Sequence, residues 1–322
     1  KRTIAYEQSG RTAAWFRKGM GIASNQGPGH YGEYDDEHMG FIRDDLMGYG
    51  YTHVDEFYDP GVTASEVGAA VNQGRGIINY CGHGCTSSWS TSGFAIWHVD
   101  MLTNDGKLPF ITSVACLNGA FENGTCFAEA WLRATSGAAA TGAIGMYASS
   151  VSQSWDPPME AQDEFIDRYV DGSYGTFGAL CFAGASKMMD RYGPYGRIEF
   201  NHWHVFGDPS LRVRTISPFM LAADANPVQS GQTVTFTVEN ASPLKGAILA
   251  YSTAGPGSTP VPWLGLTLSL ANPKKAAAPV QADASGTVMW NVTVPPSVQG
   301  ARVWFQALQY GRVTNILATS IQ

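Results

Sequence analysis

Two glycine-flanked turns carry the residues best suited to chemistry. Ile77-Ile78-Asn79-Tyr80-Cys81-Gly82-His83-Gly84 reads as a strand running into a histidine. Phe110-Ile111-Thr112-Ser113-Val114-Ala115-Cys116-Leu117-Asn118-Gly119 reads as a strand running into a cysteine. An imidazole can take or stabilise a thiol proton, and the thiolate can attack a carbonyl. A cysteine and a histidine are therefore the minimum set for thiol nucleophilic catalysis. Glycines beside the histidine let backbone N–H groups approach a substrate oxygen, as an oxyanion hole requires. Plainer readings stand beside this one. Cys116 equally suits a buried strand end, and His83 a satisfied turn residue. Cys81, His83 and Cys85 also put three soft metal ligands close together, with Cys116 as a fourth. Zinc sites, however, usually pair a Cys-x₂₋₄-Cys motif with a second one. Cys126 and Cys181 fall in apolar helical stretches and read as core.

The catalytic reading needs elements that bring both turns to one place. Apolar runs at 76–80, 108–115 and 140–148 predict strands. Between and after them, 126–135, 158–169 and 177–192 predict helices. Residues 35–48 space Met39, Ile42 and Leu46 along one helical face. Thr63-Ala64-Ser65-Glu66 is a capping box that opens a helix to about Asn72. Strands alternating with helices argue for a mostly parallel α/β sheet. In such sheets ligands bind beyond the carboxyl ends of the strands. His83 and Cys116 face one crevice if their strands are neighbours.

From residue 217 the grammar changes. Period-two alternation at 232–240 and 287–294, with further strands at 301–308 and 314–321, predicts an all-β sandwich of immunoglobulin-like type. All five cysteines and all seven histidines precede residue 205, so this tail shows no catalytic cluster. The 322 residues carry 20 Lys+Arg against 27 Asp+Glu, a net −7. Five of the basic and three of the acidic side chains lie in the tail, leaving +2 there and −9 on residues 1–216. A duplex nucleic-acid binder would carry the opposite excess. No apolar run approaches the roughly 20 residues that span a membrane.

Several runs in this chain resemble the gingipain family of cysteine peptidases, which has a caspase-like fold, and its arginine-specific members above all. They are Tyr58-Asp59-Pro60-Gly61-Val62-Thr63, Asn79-Tyr80-Cys81-Gly82-His83-Gly84, Leu108-Pro109-Phe110-Ile111 and Val114-Ala115-Cys116-Leu117-Asn118-Gly119. Cys126-Phe127-Ala128-Glu129-Ala130, Gln162-Asp163-Glu164, Thr176-Phe177-Gly178 and Val205-Phe206-Gly207-Asp208-Pro209-Ser210-Leu211 continue in the family's order with similar gaps. The resemblance covers residues 21 to 215.

The resemblance implies an α/β caspase-like sheet with flanking helices over 1–216, followed by an immunoglobulin-like sandwich over 217–322. It implies a bacterial, secreted or cell-surface endopeptidase cleaving after arginine or lysine. Cys116 matches the nucleophile, His83 the catalytic histidine, and the Gly84 and Cys116 amides the oxyanion hole. Asp35 matches the acid at the base of the S1 pocket, and Trp155 and Met159 the walls around the arginine. A carboxylate can take a guanidinium bidentately, and an indole can stack on its plane. Without the resemblance, Asp35 reads as a helix N-cap and Trp155/Met159 as i, i+4 packing. Asp156, beside Trp155, is an extra acid at the pocket rim that would admit lysine. The chain departs from the pattern at Gln26, which stands where the family has an acid bonding the catalytic histidine. An amide can orient the ring but adds no charge. The family's catalytic region also begins before the part matched here. The Lys1-Arg2 start therefore leads us to expect either a separate N-terminal chain of the same precursor, cut at basic residues, or a partial sequence. The chemistry needs no cofactor. The family often holds structural calcium, for which no ligands are assigned. A catalytically silent binding or adhesion module is the alternative reading.

Overall fold

The runs Ile77–Cys81 and Phe110–Val114 have every residue buried. That is expected of central parallel strands covered on both faces. In the computed structural model, described for residues 2–8, 13–29, 31–122, 124–214 and 219–322, these two runs lie side by side. Lys1 and the junction at 215–218 fall outside the described residues. Contacts divide the chain into Lys1–Ile216 and Ser217–Gln322.

In the first unit helices are interspersed among the strands of one sheet, and its principal elements follow. In chain order they are β1 (Lys18–Ala23), α1 (Asp35–Tyr49), β2 (His53–Tyr58), α2 (Ala64–Gln73), β3 (Ile77–Cys81) and β4 (Phe110–Val114). Then come α3 (Phe127–Arg133), β5 (Gly145–Ser149), α4 (Asp156–Val170), α5 (Phe177–Tyr192), α6 (Pro194–His202) and β6 (Trp203–Gly207). The sheet order is β6-β5-β4-β3-β1-β2, all parallel except β6 at one edge. Alternate strand residues feed two separate cores. Ile77, Cys81, Phe110 and Val114 join Met39, Ile42 and Leu46 of α1 and Phe165, Ile166 and Tyr169 of α4. Ile78, Tyr80 and Ile111 join Val67 and Val71 of α2 and Phe127 and Trp131 of α3 on the other face. The result is a sheet between two helical layers.

Local rules explain the boundaries. The Glu37 carboxylate accepts the Tyr34 N–H at 2.9 Å where α1 opens, and Gly50 closes that helix at φ 119°. Thr63 and Glu66 form the expected capping box on α2. Helix α4 starts two residues before the predicted 158, because Pro157 and Pro158 fit the first turn, where no N–H is needed. The strand predicted over 140–148 starts later. Ala139–Ala140 pairs instead with Thr135–Ser136, and Gly142, at φ 78°, turns the chain into β5.

The second unit is all β. Met220–Ala223, Thr233–Glu239 and Val288–Thr293 form one antiparallel sheet. Gly246–Ser252, Arg302–Gln309 and Leu317–Ser320 are strands of another. Phe236 of the first and Phe305 of the second meet at 4.5 Å between centroids, within one core that also holds Trp290.

Candidate active site

Strands β3 and β4 pair in register, with Cys81 opposite Val114, so their carboxyl ends release the two turns side by side. The Gly82 N–H donates to Val114 O at 3.1 Å across this exit. The His83 carbonyl is held from two sides, by the Ser90 N–H at 2.9 Å and the Tyr80 hydroxyl at 2.6 Å. Its ring is exposed, and its edge meets Trp155 at 5.0 Å. Gly84 is required where it stands. A Cβ there would come within 2.9 Å of Ala115 Cβ and 3.0 Å of the Cys116 carbonyl oxygen.

Cys116 sits half-exposed at the end of β4. The next residue, Leu117, has φ 63°, a left-handed conformation that costs a non-glycine residue about 1–2 kcal/mol. Contacts to β5 and its exit hold this turn in place: Leu117 N–H to Val151 O at 3.0 Å and Gly119 N–H to Ser149 O at 2.8 Å. Among the described residues the Cys116 N–H meets no acceptor. The other cysteines differ. Burial pushes the Cys81, Cys126 and Cys181 thiols up, away from reactivity. Partial burial also works to raise exposed Cys85, yet the hydroxyls of Ser88 and Ser87 hold it below its ordinary value.

Asp35 is the first residue of α1 and is fully buried. Its carboxylate does not cap the helix. It accepts from the Ser24 hydroxyl, from Trp155 Nε1–H at 2.8 Å and from the Cys81 thiol at 3.3 Å. Burial raises its pKa, and these three hydrogen bonds oppose the rise. No salt bridge reaches it among the described residues, and His38 adds only the smallest of the pulls that lower its pKa. Met159, one turn after Trp155, is fully buried. A Cβ on Gly29 would strike its Cε at 2.6 Å, so Gly29 makes room for it. Asp156 opens α4, half-buried and within electrostatic reach of Tyr192.

The structure therefore brings Asp35, Trp155 and His83 into one chain of contacts and sets the Gly84 and Cys116 turns against each other. It does not join Gln26 to His83. Gln26 is exposed, and its side chain has no hydrogen-bond partner among the described residues. Only its backbone serves the site: its carbonyl accepts the Asp35 N–H at 2.9 Å. The metal reading fares no better, since the Cys81 thiol is turned to Asp35 and Cys85 to Ser87 and Ser88. Among the described residues no three His, Cys, Asp or Glu side chains gather to hold a metal, so calcium has no cluster of carboxylate ligands there. No described helix is long and apolar enough to cross a membrane.

Sequence reasoning missed Ser24 and Asn118 as site residues. Asn118 is fully buried two residues after Cys116. A polar side chain inside an apolar strand exit was the available signal.

Known proteins bear on this geometry. The family described as Peptidase family C25 matches residues 1–214. Gingipain R2 of Porphyromonas gingivalis is 40% identical over 264 residues, which cover 79% of this chain and 35% of that protein. Gingipain R1 of the same organism is 40% identical over 232 residues, 70% of this chain and 23% of its own length. The chain thus spans about a third of the curated relative it matches first. Among solved structures, the Arg-specific cysteine proteinase gingipain R superposes with a TM-score of 0.66 at 32% identity. That match covers 100% of this chain and 71% of the other. A complex of Porphyromonas gingivalis RgpB pro- and mature domains gives 0.65 at 32% identity, covering 100% and 72%.

Proposed function

The chain belongs to peptidase family C25, and from that premise we propose that it is a cysteine endopeptidase cleaving after basic residues, arginine preferred. One observation carries the reading. Neighbouring central strands deliver a histidine and a half-exposed cysteine to turns that touch through Gly84 and the Cys116 carbonyl.

The steps follow from the groups present. His83 takes the Cys116 proton, and the thiolate attacks the scissile carbonyl. The resulting oxyanion lies against the N–H groups of Gly84 and Cys116, the latter without an acceptor of its own. His83 then protonates the leaving amine. The acyl-enzyme is released by a water that gives its proton back to His83. The edge contact with Trp155 orients the His83 ring in place of an acidic partner, and Gln26 is at most a weak aid.

At P1, Asp35 is a buried carboxylate held by neutral donors alone. Burying a carboxylate without a counter-ion is costly, and a substrate guanidinium supplies that counter-ion. The Trp155 and Met159 side chains form the walls. Asp156 stands at the rim, where it would serve a lysine ammonium. The net −9 on residues 1–216 favours approach of basic peptides. By analogy with the family, the protein acts outside the cell. Residues 1–216 form the cysteine peptidase domain. Residues 217–322 form an immunoglobulin-like sandwich.

A library of fluorogenic peptide amides varied at P1, run on wild type and on Cys116→Ala, tests the reading. Turnover at Arg above Lys, and far above Ala, is expected from wild type only. Equal rates at Arg and Ala would remove Asp35 as the specificity acid. No turnover by either protein would favour the silent binding module.

A further inference from the structure

The Asn118 side chain closes a ring of hydrogen bonds around the nucleophile. Its Nδ2 donates to two carbonyls of the hairpin that follows His83: Cys85 O at 2.7 Å and Ser88 O at 3.1 Å. Its Oδ1 accepts from the Ser113 hydroxyl at 2.8 Å. Ser113 Oγ in turn accepts the Trp89 indole N–H at 2.9 Å. Trp89 belongs to the same hairpin, paired with Gly84. The ring thus leaves the hairpin at Trp89, passes through Ser113 and Asn118 on either side of Cys116, and returns to the hairpin at residues 85 and 88.

Trp89, Ser113 and Asn118 are all fully buried. Every donor and acceptor named has one sense only. Two carbonyl oxygens demand the amide nitrogen, which fixes the amide's orientation, and the indole demands an acceptor. Gly84 lies directly on this ring, since a Cβ there would sit 3.0 Å from Asn118 Nδ2. The two N–H groups assigned to the oxyanion therefore come from separate turns, and buried side-chain hydrogen bonds tie those turns together.

We propose that Asn118 is a positioning residue that sets the separation of the Gly84 and Cys116 amides. The inference rests on the peptidase reading above. Asn118 touches no substrate, and its effect is confined to steps that develop negative charge on the carbonyl oxygen. Asn118→Asp keeps the size and the acceptor for Ser113 but turns an oxygen toward the carbonyls of Cys85 and Ser88. The turns are pushed apart, and a displacement of this kind costs on the order of 10²-fold in rate.

The experiment compares wild type, Asn118→Asp and Ser113→Ala as full chains, with far-UV circular dichroism as the check on folding. Three quantities are read. They are kcat and KM on a peptidyl-arginyl amide, affinity for a peptidyl-arginyl aldehyde, and the rate of Cys116 alkylation by iodoacetamide. The aldehyde adds the thiol across its carbonyl and forms an oxyanion. Iodoacetamide is displaced at carbon, with loss of iodide, and forms none. In Asn118→Asp, kcat and aldehyde affinity should each fall on the order of 10²-fold, with KM and alkylation unchanged. Ser113→Ala should show a smaller fall in the same two quantities, and it decides the matter if Asn118→Asp does not fold. An active wild type with unaltered variants overturns the inference alone. So do variants in which kcat falls, KM rises and alkylation changes together, as in a loosened fold. A wild type that turns over no peptidyl amide overturns the peptidase reading and this inference with it.

Discussion

The two units bury aromatic residues alike but differ in the polar groups they bury. Among the described residues the first holds Glu33, Asp35, His38, Asp55, Arg75, Glu160 and Glu199 in its interior. The second buries Ser252, Gln306, Gln309, Thr314 and Thr319, and no ionisable group. The second unit's buried amides stitch backbone. Gln306 donates to Thr314 O at 2.8 Å and accepts from Ser269 N–H at 2.9 Å. A contrast within the first unit is sharper still. Asp55 is met by Arg75, whose guanidinium also reaches the Ala70 and Gly74 carbonyls, so charge is balanced inside the fold. Asp35, deeper still, has only a hydroxyl, an indole and a thiol. Balanced burial serves architecture. Unbalanced burial at the start of α1 is what the proposed S1 role of Asp35 requires, a carboxylate left for a cation from outside.

The comparison is broken most directly at the nucleophile. Cys116→Ala should abolish amide hydrolysis, a loss on the order of 10⁴-fold or more, with an unchanged melting temperature, because the thiol is half-exposed. Residual hydrolysis at a wild-type rate would move the chemistry elsewhere, with exposed Cys85 the next thiol to test.

Asp35→Asn comes next. Removing one member of a desolvated charge pair should lower kcat/KM for arginyl substrates by on the order of 10²- to 10³-fold. Neutral P1 substrates should change little. Burial raises the Asp35 pKa above the ordinary carboxylate range, against the pull of its hydrogen bonds. As pH falls through that raised value the carboxylate takes a proton and loses its hold on the guanidinium. KM for arginine substrates should therefore climb on the acid side, at higher pH than an ordinary carboxylate would give. The Asn variant should lack this limb. Stability moves the opposite way. The folded state binds this proton more tightly than the unfolded chain, so the group's stabilising contribution is present at low pH and lost as pH rises through its folded pKa. Denaturant titrations across that window check the sign.

Much of this was readable in the residues. Wherever an apolar run met a strong stop signal, reading and structure agree within a residue or two, as at Ile77–Cys81, Phe110–Val114 and Phe177–Tyr192. Strands β1, β2 and β6 gave no such pattern. Gly19 and Gly21 dilute β1, and β2 and β6 are edge strands with exposed or half-buried faces. At the site, the pairing of two reactive residue types with two strand ends could be argued from spacing. The donors around Asp35 could not, because Ser24, Cys81 and Trp155 come from three distant segments. Only the resemblance to a family singled out Asp35 from its equally acidic neighbour Asp36.

Gln26 tests how complete that resemblance is. Gln26→Glu restores the acid of the family pattern at an exposed position. Exposed ion pairs contribute about 0.2–1 kcal/mol, so kcat/KM should rise by no more than about fivefold. A rise on the order of 10²-fold would instead make Gln26 the histidine's orienting partner and displace Trp155 from that role.

The smallest effect on catalysis belongs to the second unit. Phe236 is fully buried and its ring lies tilted against Phe305. Phe236→Ala removes a ring from the core shared by both sheets and should destabilise that unit by about 3–5 kcal/mol. Calorimetry should show one transition moving to lower temperature while the other stays. Amide hydrolysis at temperatures where both units remain folded should match wild type, because no ionisable group is buried near the lost ring. A fall in kcat would show that the second unit shapes the site after all, and a rise in KM alone would give it a part in holding substrate.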